Sequence, residues 1–95
     1  MGTMRIRLYA TFRLIAGIKG LDLDLPAGTT VHQVILAALE QAPILRPHWL
    51  DEQGELHAHV HILADGEDVT SLPEGYETPL KTDAVLDIFP PVVGG

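Results

Sequence analysis

Cysteine is absent from the 95 residues, which removes disulfide scaffolds, thiolate zinc sites, redox CxxC motifs and cysteine nucleophiles together. Its absence suits a reducing compartment, and the cytoplasm is the expected location. Basic residues are scarce: six Lys and Arg stand against thirteen Asp and Glu, for a net charge of −7. Neutralising nucleic-acid phosphates needs a Lys/Arg surface, so that class of partner is set aside. No apolar run approaches the ~20 residues of a membrane-spanning helix, so a membrane is not expected as a partner. Serine occurs once, at Ser71, with no triad partners in view, and Gly17 and Gly20 lack the spacing of a phosphate-binding loop. Nucleophilic and nucleotide-binding enzyme chemistry therefore has no anchor. With 46% hydrophobic and 20% charged residues, the chain reads as a single small globular domain over 1–95.

The charge that is present is unevenly spread. Residues 1–19 hold Arg5, Arg7, Arg13 and Lys19 and no acid, a local +4, and the remainder carries −11. Arg5-Ile6-Arg7-Leu8-Tyr9-Ala10 and Leu21-Asp22-Leu23-Asp24-Leu25 both alternate, as half-buried strands do. Paired in a hairpin, they place Ile6, Leu8 and the three leucines inward. Arg5 and Arg7 then share the outer face with Asp22 and Asp24, where cross-strand pairs would fix register more than stability. The linking stretch Thr11–Gly20 carries Phe12, Leu14, Ile15 and Ile18, and is expected to form a short helical turn that packs down.

Thr30 followed by Gln33 makes a capping box, and Val31, Val34, Ile35, Ala38 and Leu39 recur at helical spacing. Pro43 and Pro47 stop that helix near Gln41–Ala42. Residues 44–57 form an irregular connection anchored by Trp49 and Leu50, with a polar turn at Asp51–Glu55. Ala58–Ala64 reads as a third strand with Val60 and Ile62 inward. Asp65-Gly66 is a type I′ hairpin signal leading to a short strand through Val69. Ala84–Phe89 is the last strand, apolar enough for a central position covered on both faces. Hairpin, helix, two short strands and a last strand give an α+β fold: a ubiquitin-like β-grasp, with a mixed sheet and one main helix on a single face.

The segment Phe89-Pro90-Pro91-Val92-Val93-Gly94-Gly95 is the first candidate site. Frayed ends are usually polar, whereas Pro90–Val93 is apolar and stiff. Six residues from Pro90 can extend roughly 20 Å. Such a tail suits a narrow channel, with Gly94 and Gly95 letting the backbone approach a reactive centre. The carboxylate of Gly95, ionised at neutral pH, could attack an activated phosphate. From the residues alone, a frayed terminus and a reactive tail both stay open.

Taken together, residues 4–95 resemble the MoaD/ThiS-type ubiquitin-like sulfur carriers, typified by the small subunit of molybdopterin synthase. The residues that carry the resemblance are Met4–Arg13 with Gly17, the Val60–Val69 hairpin, Thr78-Pro79-Leu80-Lys81, and above all Ile88–Gly95. The resemblance implies a carrier that does no catalysis with its own side chains and binds no cofactor itself. An E1-like adenylating enzyme would use ATP to adenylate Gly95. A sulfur donor, such as a cysteine desulfurase or rhodanese-like protein, would convert the adenylate to a thiocarboxylate. The sulfur-accepting enzyme would be the large subunit of molybdopterin synthase, with Gly94 allowing passage and Phe89, Pro90, Pro91, Val92 and Val93 guiding and docking the tail. Alternatives within the resemblance are carriers for cysteine synthesis or tRNA thiolation, and a modifier conjugated to lysines. Phe89-Pro90-Pro91 favours the molybdopterin branch, while the long Asp51–His57 connection resembles the cysteine-synthesis branch. Thr82-Asp83-Ala84 departs from the Gly-containing acidic turn common in the family, which leaves the local turn type open.

His57, His59 and His61 alternate and, on a strand, would share one face. An exposed, imidazole-rich face is the first reading; a zinc or nickel site is the second, with His48 the nearest candidate for a fourth ligand. Asp65, Glu67 and Asp68 read as solvated hairpin residues. The net negative charge predicts basic docking surfaces on partner enzymes.

Overall fold

In the computed structural model, which describes residues 2–91, the alternating runs pair as the pattern predicts. β1 (Gly2–Leu8) and β2 (Gly20–Leu25) are antiparallel, with Arg5 opposite Asp22. Met4, Ile6, Leu8 and Leu23 are buried, and Leu21 and Leu25 pack at the margin of the same core. Arg5 Nε donates to Asp22 Oδ1 at 2.9 Å. The second expected pair does not form. Asp24 lies opposite Thr3, and Arg7 faces Gly20. A Cβ at Gly20 would overlap the carbonyl oxygen of Ile6, so glycine alone lets β2 begin there. Arg7 turns instead toward the last strand.

Between these strands lies α1 (Ala10–Ala16), ended by Gly17 in the left-handed region at φ 73. Phe12 is buried and Ile15 packs partly, but Leu14 is 80% exposed. The packing expected of the whole stretch is thus confined to one face, because a two-turn helix cannot direct all its apolar side chains inward. The main helix α2 (Val31–Gln41) forms both halves of its capping box. Thr30 Oγ1 accepts from Gln33 N at 3.2 Å, and Gln33 Oε1 accepts from Thr30 N at 3.0 Å. Val31, Val34, Ile35, Ala38 and Leu39 are all buried. A 3-10 turn (Pro43–Leu45) and the single-turn α3 (Arg46–Trp49) follow. Trp49 and Leu50 pin the connection as expected, with Leu45 as a third buried anchor. Asp51 Oδ1 closes the polar turn by accepting from Gln53 N and Glu55 N.

β3 (His61–Ala64) and β4 (Glu67–Asp68) flank Asp65-Gly66, whose φ values of 49 and 87 are those a type I′ turn requires. β5 (Val85–Phe89) runs parallel to β1 and antiparallel to β3, giving the order β2-β1-β5-β3-β4. The first and last strands therefore share the middle of a mixed sheet, and the fold is the ubiquitin-like β-grasp. The turn before β5 holds Asp83 at φ 66, closed by Ala84 N donating to Lys81 O. Aspartate tolerates that left-handed backbone better than most residues, which is how this turn dispenses with glycine. β5 differs from expectation on its outer face. Leu86 and Ile88 enter the core, but Asp87 points the other way and is covered by the side chains of Arg7 and Tyr9. No helix among the described residues is long and apolar enough to cross a membrane.

Candidate functional site: the root of the C-terminal tail

β5 delivers the chain to Phe89, opposite His61 of β3, and Pro90 and Pro91 follow. Proline has no N–H to donate to a ladder, so the sheet cannot extend along Pro90-Pro91 and the chain must leave it. Val92, Val93, Gly94 and Gly95 lie outside the described residues, so the site here is the root of the tail. The Phe89 ring meets Tyr9 nearly edge to face, with centroids 4.3 Å apart.

Tyr9 is held by a polar network reaching across the central strands. Arg7 donates from Nε to Asp87 Oδ1 at 2.6 Å and from Nη2 to Oδ2 at 3.0 Å. Tyr9 Oη donates to the same Oδ1 at 2.8 Å. Asp87 is 7% exposed, so this charge needs those partners. The hydrogen bond from Arg7 holds the Asp87 carboxyl below the usual carboxylate range, against the opposing effect of burial, and the bond from Tyr9 adds to it. Donation to Asp87 in turn holds the Tyr9 hydroxyl above its ordinary range. A carboxylate that is ionised and fully engaged is a poor proton acceptor. Its work is to brace Tyr9, and through Tyr9 the ring of Phe89. Reading β5 as near-continuously apolar did not give Asp87 these partners. The available signal was one acid inside Val85–Phe89 and two polar residues at alternate positions, Arg7 in β1 and Tyr9 just past it.

Two grooves flank the tail root, and both include Ala10, Pro90 and Pro91. One, of about 560 Å³, is completed by His59, His61 and Phe89. The other, of about 420 Å³, is completed by Thr11, Phe12, Ile15 and His48. Ala10 occupies the left-handed region at φ 50, an uncommon conformation for a residue with a side chain.

The three alternating histidines do not share a strand face. His57 N donates to Trp49 O, and Leu56 bridges Leu50, which ties residues 56–57 to the Trp49 segment. The chain must then turn, closed by Val60 N donating to His57 O, before β3 begins at His61. His57 Nε2 lies 3.3 Å from Pro47 O, whereas His59 and His61 reach the tail root. His61 Nε2 stands 3.1 Å from Asp68 Oδ2. Two hydrogen bonds from Thr70, from its hydroxyl and its backbone N–H, hold the Asp68 carboxyl below the usual range. Among the described residues, no group of three or more His, Asp or Glu side chains is placed to hold a metal ion.

A strand order with β1 and β5 central, a capped helix on one face and a tail leaving at Phe89-Pro90 can be compared with known proteins. The ThiS family matches residues 6–95. The chain belongs to the ThiS family. Small archaeal modifier protein 3 of Haloferax volcanii is 35% identical over 92 residues, covering 97% of this chain and 98% of that one. The crystal structure of H. volcanii small archaeal modifier protein 1 superposes with a TM-score of 0.85 at 25% identity, covering 97% of this chain and 100% of that one. The solution structure of small archaeal modifier protein 1 from Methanosarcina acetivorans gives 0.81 at 33% identity, covering 100% and 98%. ThiS-family membership bears out the resemblance drawn from Met4–Arg13, the Val60–Val69 hairpin and Ile88–Gly95.

Proposed function

We propose that this ThiS-family chain is a sulfur carrier activated at Gly95. The observation that supports it most is that the family match runs past the last strand and through Gly94-Gly95. An oxygen of the Gly95 carboxylate attacks the α-phosphorus of ATP on an E1-like enzyme, releasing pyrophosphate. The terminal sulfur of the donor's persulfide then attacks the carbonyl carbon and displaces AMP, which carries away the bridging oxygen. A thiol next attacks the donor's sulfur in the resulting acyl disulfide, taking up the donor as a mixed disulfide and releasing the acyl-bound sulfur. The product is a thiocarboxylate whose sulfur passes to an accepting enzyme, most directly the large subunit of molybdopterin synthase. ATP belongs to the activating enzyme, and the carrier supplies no catalytic side chain: its engaged carboxylate, Asp87, is a structural brace. A second reading is favoured by a specific observation, since relatives at 35% and 29% identity are named modifier proteins. The same adenylate would then be captured by a lysine amine, giving an isopeptide bond.

Incubation with the cognate activating enzyme, ATP and a sulfur donor should replace one oxygen by sulfur, read by intact mass. Adding one residue after Gly95 should abolish that shift and leave the unfolding midpoint unchanged. Retained activation of the extended chain would overturn the role of Gly95. Ladders joining Gly95 to lysines in cell extract, without sulfur transfer, would replace the carrier by the modifier.

A further inference from the structure

The basic residues of the first nineteen positions gather beside the tail root. Arg5, Arg7, Arg13 and Lys19 line one hollow of about 370 Å³ on the outer face of β1 and β2, closed on one side by Tyr9. Tyr9 in turn packs on Phe89, which lines one of the grooves along Pro90 and Pro91, so this ring pair is what lies between the hollow and the tail root. Those two grooves add His48, His59 and His61 and no acid. Of the thirteen acidic residues in the chain, Asp22 alone lines any of the three. Asp22 and Asp87 answer Arg5 and Arg7. Among the described residues, the Arg13 side chain bonds only the carbonyl of Leu8, at 3.2 Å, and its guanidinium lies 5.8 Å from the centre of the Tyr9 ring. Among the described residues, Lys19 makes no side-chain hydrogen bond or ion pair. One side of the tail root, across the Tyr9–Phe89 pair, is thus a basic patch on a protein of net charge −7.

We propose that this basic patch docks on an acidic rim beside the channel that receives the tail, on the enzyme that activates it. The inference rests on the carrier reading above and assigns the partner's charge at this one edge, where it reverses the basic surface that net charge alone predicts. Complementary charge at the edge of a contact steers approach and orientation more than it adds affinity. Here it would turn the tail toward the partner, because the remaining surface is acidic. A small anion is the poorer occupant. The hollow is wide, and Arg5 and Arg7 are more than half exposed, whereas a built anion site needs buried donors.

The test is ATP–pyrophosphate exchange by the cognate activating enzyme, with the full-length carrier as varied substrate. Arg13→Glu/Lys19→Glu should raise KM for the carrier about tenfold with kcat unchanged, and Lys19→Glu alone about threefold. Lys19→Glu disturbs no side-chain contact, so it separates docking from folding. Lys81→Glu, which changes net charge equally but lines none of the three grooves, should leave KM unchanged. Added salt should raise the wild-type KM and flatten the difference between the proteins. An unchanged or lowered KM in Lys19→Glu, with the wild type active, overturns this inference and spares the carrier reading. Equal effects of Lys19→Glu and Lys81→Glu also overturn it, since net charge would then suffice. So does competition by inorganic phosphate at constant ionic strength, which would make the hollow an anion site. No exchange with the wild type sinks both readings.

Discussion

Asp87 is the residue whose environment departs furthest from what its neighbours in sequence suggest. It is a carboxylate in the central strand, and Arg7 of β1 and Tyr9, just past the end of β1, reach it, Arg7 from eighty residues earlier in the chain. Because its pKa is depressed by folding, Asp87 stabilises the protein above the unfolded value near ~3.9. That contribution is lost as pH falls through the lower folded value. Tyr9 behaves oppositely: its raised pKa keeps its contribution intact below ~10 and loses it as pH climbs past the folded value. Asp87→Asn should therefore destabilise the protein by about 1–3 kcal/mol at pH 7. The gap between variant and wild type should narrow as pH falls below the unfolded value and close once it passes the lower folded one. Urea midpoints measured across pH check both parts, and a gap that persists in acid would show that charge is not the cause. A neighbouring residue, Ala10, carries left-handed backbone at φ 50 beside the tail. Ala10→Gly should leave stability unchanged or raise it by up to about 1 kcal/mol, since the strain relieved offsets the entropy of the unfolded glycine.

At the level of elements, local signals and long-range contacts divide cleanly. The capping box of α2, its five-residue buried face and the type I′ turn at Asp65-Gly66 are all set within a few residues, and each stands where the pattern put it. Thr30→Ala should cost about 1 kcal/mol in urea unfolding, the usual penalty for a lost cap. Larger loss would mean that Thr30 does more than cap, for example through its bridge to Pro79. The third strand was less legible. Alternation of His57, His59 and His61 with small and apolar residues mimics a strand, but the anchoring of residues 56–57 to Trp49 and Leu50 makes the chain turn first. Nothing within residues 57–61 records that anchor. Trp49→Ala should remove about 3–5 kcal/mol by opening a cavity under the connection. A cost below 1 kcal/mol would show that the connection packs without it.

On the scale of the whole molecule, the sheet is closed by its ends: β1 and β5, from opposite termini of the domain, pair in the middle. No strand order that leaves either one out buries the core, so the domain should unfold in one step. Far-UV circular dichroism and the fluorescence of Trp49, the sole tryptophan, should give coincident transitions. Separated midpoints would mean that the α2–Trp49 half can hold together without the sheet. β5 is fixed by two neighbours and is followed by two prolines that cannot extend the ladder, so the root of the tail has a set point of departure from the sheet.

The sequence by itself determined the α+β class, the capped helix and its face, the hairpin turn, the central first and last strands and the candidate tail, including the family that tail resembles. These follow from periodicity, capping and turn chemistry, which act over a few residues, and from a terminal motif that needs no folding to be read. Only the tertiary structure decided that Arg7 pairs with Asp87 rather than Asp24, that two of three alternating histidines reach the tail root, and that the basic residues line one hollow across the Tyr9–Phe89 pair from it. Each depends on strand order and register between segments far apart in the chain, and those are fixed by how the whole core is buried rather than by any local pattern.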